Sequence, residues 1–328
     1  MRCFVSGGTG FTGAALVKRL IEKGHEVRAL DNQPGLFYDE LKAMGAEVTI
    51  GSVTDAALVD KLTEGCERVY HLAAAFRKVN LGHQVYWDVN VNGTRIMLEA
   101  AWKHHVPRFV YCSTCGVHGN VEHPPAGEDA PIAPADYYQY TKYQGEVVAQ
   151  EYLDKGMWIS ILRPAAIYGP GDPERFYMIY KRVAKGRFLI FGDGATTYHP
   201  LYIDNLIDAF ELASEVEAAR GQAYLIADGE FVAIKQLVLG IAQALDVRCR
   251  VIHLPFWTIY IPALLCEAVF KLLPWEPPLF RRRVDWFRQN RAFDISKAQR
   301  ELGYKPRIDL PTGLARTAEW YRKMGYIA

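Results

Sequence analysis

The sequence predicts an α/β fold: a doubly wound parallel sheet, with a smaller, irregular α/β lobe toward the C-terminus. Three observations carry this expectation. Short β-rich runs alternate with longer helical patterns through the first half of the chain. Those runs are apolar along their length, as strands covered on both faces are. A glycine-rich loop separates the first run from the first helix. Strands are expected at Cys3–Ser6, Val27–Leu30, Glu47–Ile50, Arg68–Leu72, Arg108–Cys112 and Trp158–Leu162. Helices are expected between them, at Ala14–Lys23, Ala56–Thr63, Val91–His104 and Tyr138–Lys155. After Arg163-Pro164 the pattern changes, and Gly and Pro become frequent (Gly169-Pro170-Gly171, Gly186, Gly192, Gly194). The reading is a dinucleotide-binding domain over 1–163 and a substrate lobe over 164–328, with exchange of chain between the two. Helices Asp204–Ser214, Ala233–Leu245, Asp294–Gly303 and Leu310–Met324 belong to the second lobe, and Ser296 and Pro311 stand near the starts of the last two.

Composition narrows the function classes. The 328 residues are 50% apolar and 23% charged, which excludes disordered, collagen-like and disulfide-scaffold chains. Lys and Arg number 38 against 37 Asp and Glu, so there is no general attraction to nucleic acid or to an anionic membrane surface. Met1 leads straight into Arg2-Cys3-Phe4-Val5, with no export signal, and six irregularly spaced cysteines fit reduced thiols in the cytoplasm. No transmembrane segment is expected, because no apolar run reaches about 20 residues. Leu254–Phe280 is the unusual stretch. It reads as a helix pair packed in the second lobe; the sharper alternative is a greasy substrate lid or a peripheral membrane contact edged by Arg281-Arg282-Arg283. Pro255, Pro262, Glu267, Lys271 and Pro274 interrupt it, so it does not span a bilayer.

The first run ends in Gly7-Gly8-Thr9-Gly10-Phe11-Thr12-Gly13. Gly7 allows a sharp turn, Gly10 lets backbone approach a pyrophosphate, and Gly13 lets the helix pack close to the strand. The helix start then offers free N–H groups to phosphate. Asp31, followed by Asn32, ends the second run at the separation expected of an acid that bonds a ribose diol. A carboxylate there repels a 2′-phosphate, and no Arg follows, so NAD is expected rather than NADP. Further along, Tyr138 and Lys142 stand four apart and share one helix face. A tyrosine ordinarily titrates near 10, too high for a base at neutral pH, and a neighbouring ammonium lowers that value. Tyr137, Tyr140 and Tyr143 are alternative phenols without that spacing to Lys142. A hydroxyl at the end of the fifth strand, Ser113 or Thr114, could orient the substrate oxygen. Cys112-Ser113-Thr114-Cys115 also spells a C-x-x-C with His118 nearby, yet it lacks a helix N-terminus for redox use and a fourth ligand for zinc, so no metal is expected.

Together these residues resemble the extended short-chain dehydrogenase/reductase family, the NAD-dependent epimerases and dehydratases. The resemblance covers nearly the whole chain. It includes the glycine loop, Asp31, Gly51-Ser52-Val53-Thr54-Asp55, His71-Leu72-Ala73-Ala74, Asn90-Val91-Asn92-Gly93-Thr94, Cys112-Ser113-Thr114, Tyr138 through Lys142, Arg163-Pro164 with Ile167-Tyr168-Gly169-Pro170-Gly171, and Leu302-Gly303-Tyr304-Lys305-Pro306. It implies Tyr138 as acid/base, Lys142 as its activator and ribose anchor, and Thr114 as the hydroxyl that polarises the reacting oxygen. Ser52 and Val53 would line the adenine, where the family usually has Asp at the Ser52 position. Leu72, Ala73 and Ala74 would run along the cofactor, Pro164 and Ile167 would flank the nicotinamide, and Asn32, Asn90 and Ser113 complete the expected cofactor contacts. Phe76, Arg77, His118, Arg175 and His199 are the candidate substrate contacts.

Departures from the family pattern sharpen the reading. Thr114-Cys115-Gly116 stands where dehydratases resemble Thr-Asp-Glu, decarboxylases carry a nearby Glu, and 3,5-epimerases place a Cys at the Gly116 position. Nucleotide-sugar enzymes usually show an Asn after the Arg163 position and an Arg before the Tyr202-Ile203-Asp204 run; here the chain reads Pro164-Ala165-Ala166 and Tyr198-His199-Pro200-Leu201. The apolar Leu254–Phe280 resembles instead the second lobe of 3β-hydroxysteroid dehydrogenase-like members. The expected function is NAD-dependent hydride transfer at an apolar secondary alcohol or ketone, and the alternative is a nucleotide-sugar 4-epimerase. A non-catalytic NAD-sensing protein is a third reading, against which the intact Tyr138/Lys142 pair argues. The expected partners are a small-molecule substrate and a second copy of the chain, because Val91–His104 and Tyr138–Lys155 resemble the helix pair that forms a four-helix dimer interface in the family.

Overall fold

The computed structural model describes residues 1–76, 82–172, 175–270 and 277–327, with the side chains of Arg175 and Arg282 outside the description. Six strands succeed one another with helices between them: β1 (Arg2–Ser6), β2 (Glu26–Asp31), β3 (Glu47–Ile50), β4 (Arg68–His71), β5 (Arg108–Cys112) and β6 (Ile159–Pro164). The helices are α1 (Phe11–Glu22), α2 (Tyr38–Ala43), α3 (Ala56–Thr63), α4 (His83–Trp87), α5 (Gly93–Lys103) and α6 (Tyr137–Leu153). All strand pairs in this sheet are parallel, in the order β3-β2-β1-β4-β5-β6, and a seventh strand, Ala223–Ile226, pairs with β6.

Residue alternation explains why both faces are covered. Val5, Ala29, Tyr70, Val110 and Leu162 face one apolar cluster. Phe4, Leu30, Val69, Phe109 and Ile161 face the other. Phe4 and Val5 are fully buried, and each such side chain contributes roughly 1.5–3 kcal/mol of transfer free energy. Polar side chains set helix starts. Asp55 accepts from Leu58 N at 3.1 Å, Asp136 from Gln139 N at 2.9 Å, and Asp309 from Thr312 N at 2.9 Å. Ser296, expected near a helix start, is the first helical residue of Ser296–Leu302, and Asp294 accepts from its N–H at 2.8 Å.

The chain beyond residue 163 returns to the first sheet. Helix Ile203–Glu215 packs beside α1, tied to it by Arg19, whose guanidinium contacts Asp208 at 2.9 Å and Glu211 at 3.1 Å. The chain then supplies the seventh strand before returning to the second lobe. Among the described residues that lobe carries two-stranded pairs: Ala166–Tyr168 with Pro200–Tyr202, Arg187–Phe191 with Arg250–Leu254, and Thr197–Tyr198 with Val232–Ala233. The expected packed helix pair over Leu254–Phe280 is, among the described residues, one helix, Trp257–Phe270, with only Ala263 buried. Strand order turns back between β1 and β4, and the crevice beyond their carboxyl ends is where ligands bind in such sheets.

Candidate active site

The three glycines of the loop after β1 are glycine for different reasons. Gly7 holds φ +71°, and a Cβ there would come within 2.8 Å of Ala73 N. A Cβ on Gly13 would meet Gly7 O at 1.9 Å, so α1 could not lie where it does. Gly10 has an ordinary φ of −70°, and the nearest atom to an added Cβ is Gly7 O at 3.4 Å. Nothing within the chain forbids a side chain at Gly10. The space in front of it is a cradle that a pyrophosphate fits, and α1 begins there with no side-chain cap, leaving the first-turn N–H groups, Phe11 and Thr12 among them, without intrahelical partners. Asp31 is drawn onto the same loop. Its Oδ2 accepts from Thr9 N at 3.0 Å, Thr9 Oγ1 at 2.9 Å and Gly10 N at 3.1 Å, and its Oδ1 accepts from Asn32 N at 2.8 Å. A fixed negative charge beside the cradle suits a ribose diol and opposes a 2′-phosphate. Asn32 is exposed, Ser52 shares a hydrogen bond with Thr54 at 2.7 Å, and Val53 is buried. Leu72, Ala73 and Ala74 follow β4 half-buried, as does Ile167, and Pro164 is buried at the end of β6.

A buried polar chain fixes the strand ends against the helix that carries Tyr138 and Lys142. Ser6 Oγ lies 2.7 Å from His71 Nδ1, and His71 Nε2 lies 3.0 Å from Thr94 Oγ1. Thr94 spends its hydroxyl proton on Asn90 O at 2.7 Å, so His71 must donate from Nε2 and accept at Nδ1. Burial, and then Lys142, keep that imidazole neutral by pushing its pKa well below the usual value. Asn90 sits in a π-helical turn, Asp88–Asn92, between α4 and α5. It accepts from Ala75 N at 2.7 Å, donates to Ala75 O at 3.2 Å, and donates to Thr141 Oγ1 at 2.9 Å. Thus Asn90, expected as a cofactor contact, is instead fully buried and clamps the loop after β4 to α6.

Lys142 is 1% exposed, its Nζ has no hydrogen-bond partner among the described residues, and it stands 4.3 Å over the ring of Tyr111. Burial lowers its pKa to about 8. Tyr111 is itself held by His71, stacked at 5.6 Å, and donates to Lys142 O at 3.1 Å. Gly145 permits this packing: a Cβ there would meet Tyr111 Oη at 2.1 Å. Tyr111 was not among the expected site residues; a glycine in mid-helix, where nothing but close packing calls for one, was its sequence signal. An ammonium with no partner in a water-poor site is the group a ribose hydroxyl would satisfy. Tyr138, half-buried, lies with its ring 4.7 Å from that of Phe76, which is exposed. Of the alternative phenols, Tyr137 stacks on His83 at 3.9 Å and Tyr140 is exposed.

Of the two hydroxyls after β5, Thr114 keeps a proton to donate: its Oγ1 accepts from Gly116 N at 3.1 Å, capping the short turn Cys115–His118. Ser113 donates its proton to Glu146 instead. Glu146 forms a buried two-point pair with Arg163, at 2.6 and 3.1 Å, which fastens α6 to β6. Arg163 also donates to His118 Nε2 at 3.1 Å, and His118 Nδ1 donates to Ala130 O at 3.1 Å. His118, expected at the substrate, is therefore a buried neutral imidazole with both nitrogens in use; burial and Arg163 lower its pKa. His199 behaves alike. Nε2 donates to Asp228 O at 2.8 Å, Nδ1 accepts from Phe293 N at 3.2 Å, and burial lowers the pKa to about 4. Short, fully enclosed imidazoles of this kind look the same in a sequence as exposed ones. Arg77 and the side chain of Arg175 lie outside the described residues. Cys112 is a free thiol whose pKa burial pushes up to about 11, and among the described residues no group of three or more His, Cys, Asp or Glu could hold a metal ion.

The chain is similar to known proteins. Residues 3–227 match the NAD dependent epimerase/dehydratase family. The chain is 32% identical over 327 residues to 2-alkyl-3-oxoalkanoate reductase of Stenotrophomonas maltophilia, covering 96% of this chain and 98% of the relative. It is 28% identical over 317 residues to N-acetyl-alpha-D-glucosaminyl-diphospho-ditrans,octacis-undecaprenol 4-epimerase of Escherichia coli O157:H7, covering 96% and 93%. In structure it superposes on the dTDP-glucose 4,6-dehydratase DesIV of Streptomyces venezuelae, solved with NAD bound, with a TM-score of 0.80, 25% identity, and coverage of 100% and 99%.

Proposed function

Because the chain belongs to the NAD dependent epimerase/dehydratase family, we propose that this NAD-dependent enzyme interconverts an apolar secondary alcohol and its ketone. The observation that carries the substrate class is the absence of charged side chains along two neighbouring segments, 164–167 and 198–201. Pro164-Ala165-Ala166-Ile167 leaves β6 with main-chain bonds from Ala165 N to Ile226 O at 2.8 Å and from Ala166 N to His199 O at 3.2 Å, so only apolar side chains are offered. Tyr198, His199 and Leu201 are buried, His199 as a neutral ring. Arg163, the adjoining cation, is committed to Glu146 and His118. A diphosphate would find no counter-charge at these positions, and burying one unpaired is costly. The likeness to a reductase named for a 2-alkyl-3-oxoalkanoate supports the same class.

Bound NAD supplies the hydride acceptor or donor. The Gly10 cradle and first-turn N–H groups of α1 would hold its pyrophosphate, Asp31 would take a ribose diol, and Lys142 the other ribose. Tyr138 removes the hydroxyl proton of the alcohol, or returns it to the ketone oxygen. The Lys142 ammonium stabilises the phenolate. Thr114 donates a hydrogen bond to the reacting oxygen and holds it toward Tyr138. Phe76, its ring 4.7 Å from that of Tyr138, packs against the phenol. The test is NADH oxidation by the purified protein across long-chain 3-keto acids, their 2-alkyl derivatives and sterol-like ketones, run beside calorimetry with UDP- and dTDP-sugars. Turnover of an apolar ketone is expected. Sugar-nucleotide binding without ketone turnover would replace this reading by 4-epimerisation, the activity that names the Escherichia coli relative.

A further inference from the structure

Helix Trp257–Phe270 is inverted. Helices on a protein surface turn apolar residues inward and charges outward. Here Trp257, Ile261, Leu264, Leu265 and Val269 are exposed, from 38% at Leu264 to 63% at Trp257 and Leu265. At 100° per residue these positions, with Pro262 and Ala268, span nearly half the circumference. No ionisable side chain falls in that arc. The one charged residue of the helix, Glu267, is turned away from it onto Arg281, whose Nε donates to Glu267 Oε2 at 2.8 Å. Five large apolar side chains form a contiguous patch of the kind that soluble surfaces rarely leave uncovered; the one polar residue in the arc, Thr258, spends its hydroxyl on Pro255 O at 2.7 Å.

The surroundings say what covers it. Residues 255–291 hold six Lys and Arg against three Asp and Glu, in a chain that is otherwise balanced. Arg281 is exposed despite its pairing, and Arg283 donates to Pro278 O at 2.7 Å while lying 4.9 Å over the Phe280 ring. Arg288 spans the rings of Phe256 and Tyr260, 5.3 and 5.1 Å away. Aromatic rings with guanidinium groups on them sit next to an apolar arc, which is the layering of a bilayer interface: aliphatic side chains among acyl tails, aromatic rings at the boundary, cations at the headgroups. A 14-residue helix is about 21 Å long, short of the roughly 30 Å hydrocarbon core, and among the described residues no helix is long and apolar enough to cross a membrane.

We propose that this helix is a monotopic anchor that lays its Trp257–Val269 face into an anionic lipid bilayer. The attachment is independent of the substrate read above. Its test is flotation of the full chain with vesicles of phosphatidylcholine alone, or of phosphatidylcholine with one third phosphatidylglycerol, at 0.1 M and 0.5 M salt. The protein is expected to float with the anionic vesicles, at least tenfold less with neutral ones, and less at high salt. Leu265→Glu/Val269→Glu is expected to lower binding at least tenfold, and Arg283→Glu to remove the preference for anionic lipid. Both sites are exposed, and an unchanged melting shift on adding NAD certifies the fold of each variant. Wild-type protein that floats with neither vesicle, or a double variant that binds as well as wild type, overturns the proposal. Self-association that the same double variant abolishes, with no vesicle binding, overturns it in favour of a second copy on this face.

Discussion

At the scale of single residues, Lys142 is a buried cation held against its own solvation. Its pKa falls from 10.5 to about 8 because burial penalises the ammonium. The unfolded chain holds this proton up to the higher value, so between pH 8 and 10.5 the unfolded state binds more protons and stability rises with pH. Below about 8 the full penalty, roughly 3 kcal/mol, is present; above about 10.5 it is gone. Lys142→Met therefore raises the melting temperature of NAD-free protein at pH 7, and the gain over wild type shrinks as pH climbs through that window, as parallel thermal melts will read. The same variant loses turnover and part of the stabilisation that NAD confers. Tyr138→Phe separates the two roles. It removes the proton carrier without touching the buried ammonium, so turnover falls at least about 10²-fold while NAD affinity by calorimetry stays within twofold. Both residues were legible in the sequence from their four-residue spacing. What held them was not, because Tyr111 and Asn90 reach the site from other elements and Glu146, on the same helix, acts through β5 and β6; their roles are contacts rather than patterns.

At the scale of elements, the loop between β1 and α1 makes two glycines distinguishable. A methyl group on Gly13 collides with Gly7 O at 1.9 Å, whereas on Gly10 it approaches the same oxygen no closer than 3.4 Å. Gly13→Ala therefore shifts α1 off the sheet and costs several kcal/mol, seen as a lowered denaturation midpoint. Gly10→Ala leaves that midpoint within about 0.5 kcal/mol, because neither φ nor packing opposes it, yet it fills the cradle and weakens NAD binding at least tenfold. Equal effects of the two on stability would mean that Gly10 serves the fold rather than a ligand. Strand and helix positions were readable here because β1 through β6 are apolar runs broken by turn residues. Ala223–Ile226 escaped notice for the opposite reason: four residues of ordinary composition pair with β6 after an excursion of some 60 residues, and nothing local marks that register. The helix at Trp257–Phe270 was visible as apolar sequence, but apolarity alone reads as core; its exposure is a fact of the tertiary fold.

At the scale of the whole molecule, the two lobes are one interlocked unit. Arg19 joins α1 to Ile203–Glu215, and Asn205 donates to Asp228 Oδ1 and Ile308 O, both at 2.8 Å. Burial raises the Asp228 carboxyl to about 7, so this bridge sits where the chain crosses between lobes with little charge to spare. A second surface remains to be closed. Helices α5 and α6 lie side by side, pinned by Arg95 on Glu151 at 2.6 and 2.8 Å. On α6, Tyr140 and Val147 are exposed seven residues apart, two turns along one stripe, and Trp102 is exposed at the end of α5. Apolar side chains repeating along a helix pair make a self-complementary face when a twofold axis passes between two copies. Light scattering is expected to give twice the 37.1 kDa of the chain. Val147→Arg places a like charge against its own copy at the centre of that face and is expected to give monomer, with NAD binding retained because Val147 is exposed on the outer side of α6 while Lys142 is turned inward. The same variant leaves vesicle binding through Trp257–Phe270 intact, and Leu265→Glu/Val269→Glu leaves the dimer intact. A wild-type protein that scatters as monomer at every concentration removes the dimer without disturbing the site, since each residue assigned to NAD and substrate comes from one chain.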